Sequence, residues 1–138
     1  IKKIEDYKNL GITKVIIEEP LLGSNNIHTV GTLMRYNAMI TKAIYDALGI
    51  VPNYISTYNS RKFAWQNLMG KNDKNREVLF GGYPKDIDKK QVVWEMVAKE
   101  EPQINWLYTK NMTLKKECYD QADAYTCVRG YMKMNKFW

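Results

Sequence analysis

Apolar positions recur at helical spacing over long stretches of this 138-residue chain and bunch into one continuous run near its start. The run is Lys14 to Gly23, KVIIEEPLLG, in which Val15, Ile16 and Ile17 precede two carboxylates, Glu18 and Glu19, and then Pro20. An unbroken β-branched run predicts a strand buried on both faces. Pro20 has no N–H for a ladder, so pairing should end there. The carboxylates then stand at the C-terminal end of a strand, where open α/β sheets place their ligands. The plain alternative is that both acids point to solvent past the sheet.

The same pattern predicts the other elements. Ile4, Tyr7 and Leu10 mark a short helix over 3–10, closed by Gly11. Residues 20–29, PLLGSNNIHT, form a polar loop. Val30, Leu33, Met34, Ile40, Ala43, Ile44 and Ala47 trace a long helix over 30–48 that ends at Gly49. Asn53 to Tyr58 favours a strand, which completes a right-handed βαβ unit with parallel strands. A helix is expected over 59–70, capped by Asn59 or Ser60 and stopped by Gly70. Residues 71–88 are the least regular, with Val78-Leu79-Phe80 as a short strand or a tucked loop. Asp88 caps a helix over 89–101 that turns Val92, Val93, Met96 and Val97 inward and stops at Pro102. A last helix runs over 116–134, with Ala124, Cys127, Val128 and Tyr131 as its core stripe.

Composition narrows the class. An apolar content of 45% in 138 residues suits one globular domain, 1–138. No run approaches the ~18 apolar residues of a membrane span, and no leader pattern is visible. The net charge of +6 suits a polyanion such as nucleic acid, with no role at a membrane. Cys118 and Cys127, nine residues apart on one helix, would stand about 13 Å apart along it. That is too far for a disulfide, so both read as reduced and the compartment as cytoplasmic.

The candidate chemistry lies in carboxylates. Asp120 and Asp123 sit at i, i+3 near the start of the last helix, on one face. Acids there also complement the helix dipole, which is the commoner reason for them. Glu18 shifts the balance, because a Glu ending a strand and a DxxD on a late helix are parts of a site for hard cations. Two Mg²⁺ or Mn²⁺ ions ~4 Å apart activate water and stabilise the leaving oxygen of a phosphodiester. His28, the single histidine, has no second His or paired Cys to make a zinc site and reads as a solvated loop residue. Asn25, Asn26 and Thr29 are polar enough to meet a nucleic-acid backbone, or equally to make ordinary caps. Trp65 and Trp94 read as core. Tyr58 and Phe63 flank SRK at 60–62, where an aromatic could stack on an unpaired base.

IIEEPLLG at 16–23, SRK at 60–62, KKQV at 89–92 and DQADAY at 120–125, taken in order, resemble the RuvC-type Holliday junction resolvases of the RNase H-like superfamily, in their phage- and poxvirus-like branch. The resemblance covers roughly residues 3–133. It implies an α/β RNase H-like domain with parallel strands and flanking helices. It also implies cleavage of branched DNA with Mg²⁺ or Mn²⁺ held by Glu18, Asp120 and Asp123. Lys62 with Arg61 beside it, and Lys89 or its neighbour Lys90, would hold phosphates. Such enzymes act as homodimers, since a junction needs two symmetric cuts, and the helix over 30–48 is the candidate interface. The family's first catalytic Asp, on the first strand of an initial three-stranded meander, has no counterpart here. The expectation is therefore a domain truncated at its N-terminus, missing three strands and one carboxylate, with weak nuclease activity or none. Its exposed sheet edge should seek a partner strand. Two rivals are a non-catalytic nucleic-acid-binding or structural protein with this fold, and a related nuclease acting on RNA–DNA hybrids or flaps.

Overall fold

The computed structural model describes residues 2–20 and 26–137. Of the loop expected over 20–29, residues 21–25, Asn25 among them, lie outside the described residues, while residues 27–29 are already helical. The chain is mixed α/β and divides into two compact units, Ile1–Thr57 and Tyr58–Trp138. No helix among the described residues is long and apolar enough to cross a membrane.

The first unit is a βαβ arrangement. Strand β1, Ile16–Glu18, pairs in parallel with β2, Asn53–Ile55, in the register Ile16↔Asn53, Ile17↔Tyr54 and Glu18↔Ile55. Pairing ends where Pro20 requires: the Glu19 N–H donates to the Ile55 carbonyl at 2.8 Å, and the next residue has no N–H to give. The burial expected for this strand is corrected. Ile16 and Ile17 are only half-buried, because β1 has one strand partner among the described residues. The crossover is α2, Ile27–Leu48, which begins three residues earlier than its apolar pattern suggests. The cause is Asn26, whose side chain accepts from the N–H groups of His28 and Thr29 and so caps the helix ahead of Val30. His28 therefore lies in the first turn of a helix rather than in a loop, and it is exposed. Gly49 closes α2 with φ 68°, a left-handed conformation that costs a glycine little. The expected apolar stripe is also corrected: Ile44 alone is buried, while Leu33, Met34 and Ile40 face solvent. The opening helix shrinks to α1, Lys2–Glu5, followed by turns to Gly11. Tyr7 and Leu10 are exposed, so no burial holds the longer helix together.

The second unit holds the main core, built from Ala64, Trp65, Leu68, Phe80, Val92, Val93, Val97 and Ala122. Helix α3, Thr57–Ala64, is shorter than the expected 59–70. It passes through a 3₁₀ turn at Gln66–Leu68 into strand β3, Met69–Lys71. Gly70 is thus no helix stop. It pairs with Val78 in an antiparallel hairpin between β3 and β4, Glu77–Leu79. A Cβ on Gly70 would lie 2.6 Å from the Gly82 backbone nitrogen, so this position demands glycine. Helix α4, Lys89–Glu100, is capped by the Asp88 side chain as expected, and Val92, Val93 and Val97 are buried. Met96 is half-buried.

Helix α5, Lys116–Met134, has the expected bounds but turns a different face to the core. Cys118, Ala122, Thr126, Cys127, Arg129 and Gly130 are buried, whereas Ala124 and Val128 are exposed. The rotation has two causes. Gly130 lets α5 lie directly on the α3 backbone, for a Cβ there would stand 2.7 Å from the Ser60 Cα. Arg129 is drawn inward as well: its Nε donates to the Ala64 carbonyl at 3.0 Å and Nη1 to Glu100 at 2.5 Å. Helices α4 and α5 run in the same direction. Tyr119 near the start of α5 donates to Gln91 near the start of α4, and Tyr125 and Arg129 farther along reach Glu101 and Glu100 at the end of α4. Both cysteines are free and buried.

Gly130→Ala should lower unfolding free energy by about 1–3 kcal/mol, the range for an overpacked core, while Ala124→Ser should stay within about 0.5 kcal/mol. Urea titration measures both, and equal effects at the two positions would refute the docking of α5 on α3. A second prediction concerns pH. Burial, helped by the hydrogen bond to Glu101, raises the Tyr125 phenol above its ordinary value. The native state then holds that proton more tightly than the unfolded chain, so stability falls as pH rises past about 10. Tyr125→Phe should flatten this alkaline loss in urea titrations at several pH values; an unchanged slope would remove Tyr125 as its cause.

Candidate functional site

Three elements of the second unit bring expected site residues together. Helix α3 presents Arg61, the first turn of α4 presents Lys89, and the early turns of α5 present Asp120 and Asp123. The Arg61 Nη2 stands 3.9 Å from the Asp123 Oδ1, in a pair whose side chains are 14% and 29% exposed. At that separation and partial burial the pair contributes no more than about 1 kcal/mol. Its value is positional, since it holds a guanidinium beside a carboxylate. Asp120 lies one turn earlier on α5 and is exposed.

Phe80 links the cations. Its ring is 5.8 Å from the Arg61 Cζ and 5.7 Å from the Lys89 Nζ. Each cation–π contact is worth about 0.5–1 kcal/mol, and more where water is excluded. Phe80 is buried and has φ 60°, a left-handed conformation that costs a bulky residue about 1–3 kcal/mol. The hairpin imposes it. Phe80 N–H donates to the Leu68 carbonyl at 2.7 Å, and Gly81 presses so closely on Gly70 that a Cβ would meet the Gly70 carbonyl carbon at 2.5 Å. The chain must turn sharply at residue 80, and the turn drives the ring inward beneath the two cations. Sequence reading missed Phe80. The available signal was a bulky residue directly before Gly81-Gly82 at the end of a short apolar run.

Lys62 and Lys90 are not joined to the Phe80 ring. Lys62, the next residue on α3, points elsewhere and rests over Tyr58 at 5.8 Å and Phe63 at 5.7 Å. Lys90 is exposed, and its backbone N–H is engaged by the Asp88 cap. Glu18 belongs to the first unit, at the end of β1, where its Oε1 accepts from the Thr57 hydroxyl at 2.7 Å. The donor chemistry of Glu18, Asp120 and Asp123, all carboxylates, fits a hard cation such as Mg²⁺ or Mn²⁺. Among the described residues, however, no three His, Cys, Asp or Glu side chains gather as a cation site. Asp120 and Asp123 are the two such donors that one element brings together.

Comparison with protein-family models, with curated proteins and with solved structures yields no match. The resemblance to junction resolvases accordingly rests on the motif residues alone.

If Phe80 is the platform for both cations, Arg61→Ala and Phe80→Leu should be non-additive. A double-mutant cycle by urea unfolding should give a coupling of about 0.5–1 kcal/mol, and Lys89→Ala with Phe80→Leu should do the same. Additive losses would mean that the ring merely fills the core.

Proposed function

We propose that this chain is a nucleic-acid phosphodiester hydrolase of the RNase H-like, RuvC-type kind, acting on branched DNA. The observation that carries the reading is that Arg61 and Lys89 share the Phe80 ring while Asp123 stands beside Arg61, with Asp120 one turn away on α5. Cations held beside carboxylates suit a phosphate backbone whose cleavage needs both charge neutralisation and acidic metal ligands. Arg61 and Lys89 would grip phosphates on either side of the scissile bond, with Lys62 and Lys90 extending the track. Asp120 and Asp123 would be metal ligands of the second unit, and Glu18 one of the first; Mg²⁺ or Mn²⁺, when bound, supplies water activation and stabilisation of the leaving oxygen. Homodimer formation would use exposed apolar side chains of α2, among them Met34, Met39, Ile40 and Tyr45. A cytoplasmic setting fits the two free thiols.

The Arg61–Asp123 pair favours one further reading. In it the aspartates serve to hold cations, and the chain binds nucleic acid without cutting it.

The test uses a labelled four-way junction and a duplex of the same sequence. The chain should bind the junction more tightly, with affinity falling steeply as salt rises. Mn²⁺-dependent nicking that disappears in the Asp120→Asn, Asp123→Asn double variant supports the hydrolase. Junction binding that persists in this variant, with no nicking by either protein, supports the binding reading. Absence of any salt-dependent DNA binding would sink both.

A further inference from the structure

The first unit contains a cavity of about 530 Å³ between α2 and the chain that returns from it into β2. Met34, Asn37, Ala38, Thr41 and Tyr45 line it from α2. They fall at i, i+3, i+4, i+7 and i+11, which is a single helix face. Val51, Pro52 and Tyr54, on the chain after Gly49, complete the wall. The volume lies in the range of small-ligand sites, about 300–1,000 Å³.

The wall is mostly apolar, and its few polar groups have a definite order. The Thr41 hydroxyl donates to the Asn37 backbone carbonyl at 2.8 Å. A hydroxyl has one proton, so the hydrogen bond between Thr41 Oγ1 and Tyr54 Oη must use the proton of Tyr54. Tyr54 therefore offers the cavity lone pairs and no donor. The half-buried Asn37 side-chain amide makes no hydrogen bond among the described residues, so its donors and its acceptor are both unused. The charged lining residue, Lys42, is paired with Asp46 at 2.5 Å, and the cavity calls for a neutral ligand. Tyr45 is exposed and presents an aromatic ring beside the amide.

We propose that this cavity binds a nucleobase, adenine above all, with its flat face on Tyr45 and its amino edge on Asn37 and Tyr54. Adenine joins two N–H donors on N6 to an acceptor at N7. A carboxamide takes one N6 proton and N7 together, and bases stack on aromatic side chains. The second N6 proton suits the Tyr54 lone pairs. Guanine and hypoxanthine carry an acceptor at that position, for which Tyr54 has no proton to give. The base can belong to a free nucleoside or to an unpaired position in a strand. The proposal does not rest on the hydrolase reading, since the cavity shares no residue with Arg61, Phe80, Lys89, Asp120 or Asp123.

The test is an NMR titration with adenosine at constant ionic strength, on chain labelled at the methionine methyls and backbone ¹⁵N. Saturable shifts are expected at the Met34 methyl and at the Thr41 and Val51 amides. Asn37→Leu and Tyr54→Phe should each weaken adenosine binding roughly fivefold or more, with unchanged amide dispersion showing that the variants fold. Inosine, which lacks the N6 donors, and 7-deazaadenosine, which lacks the N7 acceptor, should bind the parent chain more weakly by a similar factor. A duplex with one unpaired adenosine, set against the same duplex fully paired, distinguishes the source. Tighter binding of the bulged duplex than of adenosine identifies a strand, and the reverse identifies a free nucleoside; either supports the site. Absence of saturable shifts, equal binding of adenosine and inosine, or affinity unchanged in both variants would overturn it. So would a dimer in sedimentation that Met34→Glu dissolves and adenosine leaves intact, which would give this face to a second copy of the chain.

Discussion

The contact on which the second unit depends is the approach of α5 to the α3 backbone at Gly130 and Ser60. Only a residue without a side chain permits it. Once made, it fixes the rotation of α5 about its axis. Arg129 is carried inward to the Ala64 carbonyl, and Asp123, two turns earlier, comes within reach of Arg61, the residue after Ser60. The dispersion and hydrophobic energy of the core is supplied elsewhere, by Leu68, Val93, Val97 and their neighbours. The glycine contact decides which polar groups that core brings face to face.

A second constraint works at the other end of the unit. The β3–β4 hairpin closes on itself through Gly70 and Gly81, and the return forces Phe80 into a left-handed backbone conformation. Strain of this kind persists only where surrounding structure overdetermines it. Here the surroundings are a buried ring with a cation from α3 and another from α4 lying over it. The hairpin thereby ties the cationic cluster to the rigid core rather than to a loop. That is the arrangement a charged binding surface needs if its cations are to hold fixed spacing.

The first unit follows a different logic. Its two-stranded parallel sheet and long helix bury few side chains, chiefly Ile44 and Ile55, and α2 leaves much of its apolar surface exposed. A parallel pair is ordinarily covered on both faces. The apolar run at Val15 to Ile17 carries the composition of a covered strand, while its burial here is half of what that composition suits. Glu18, at the end of this strand, keeps a partner within its own unit in Thr57.

Local chemistry was legible in the chain itself. The Asn26 and Asp88 side chains are strong N-caps, Gly49 is a C-cap, and Pro20 forbids further pairing, because each acts on backbone groups within a few residues. The bounds of α5 and the inward face of α4 follow from the same short-range rules. Hydrophobic period failed where packing depended on something distant. The period alone turned Ala124 and Val128 to the core, whereas the Gly130–Ser60 contact and the Arg129–Glu100 pair turned them out. Gly70 read as a helix stop and became a strand residue, since only the returning backbone at Gly82 makes a glycine necessary there. Of the candidate site, the sequence by itself determined which residues carry charge and which helix face holds Asp120 and Asp123. The tertiary structure alone decided that Arg61 and Lys89 share the ring of Phe80 while Lys62 turns away. Residues separated in sequence meet only through the fold, and neither spacing nor composition encodes the path of a distant stretch of backbone.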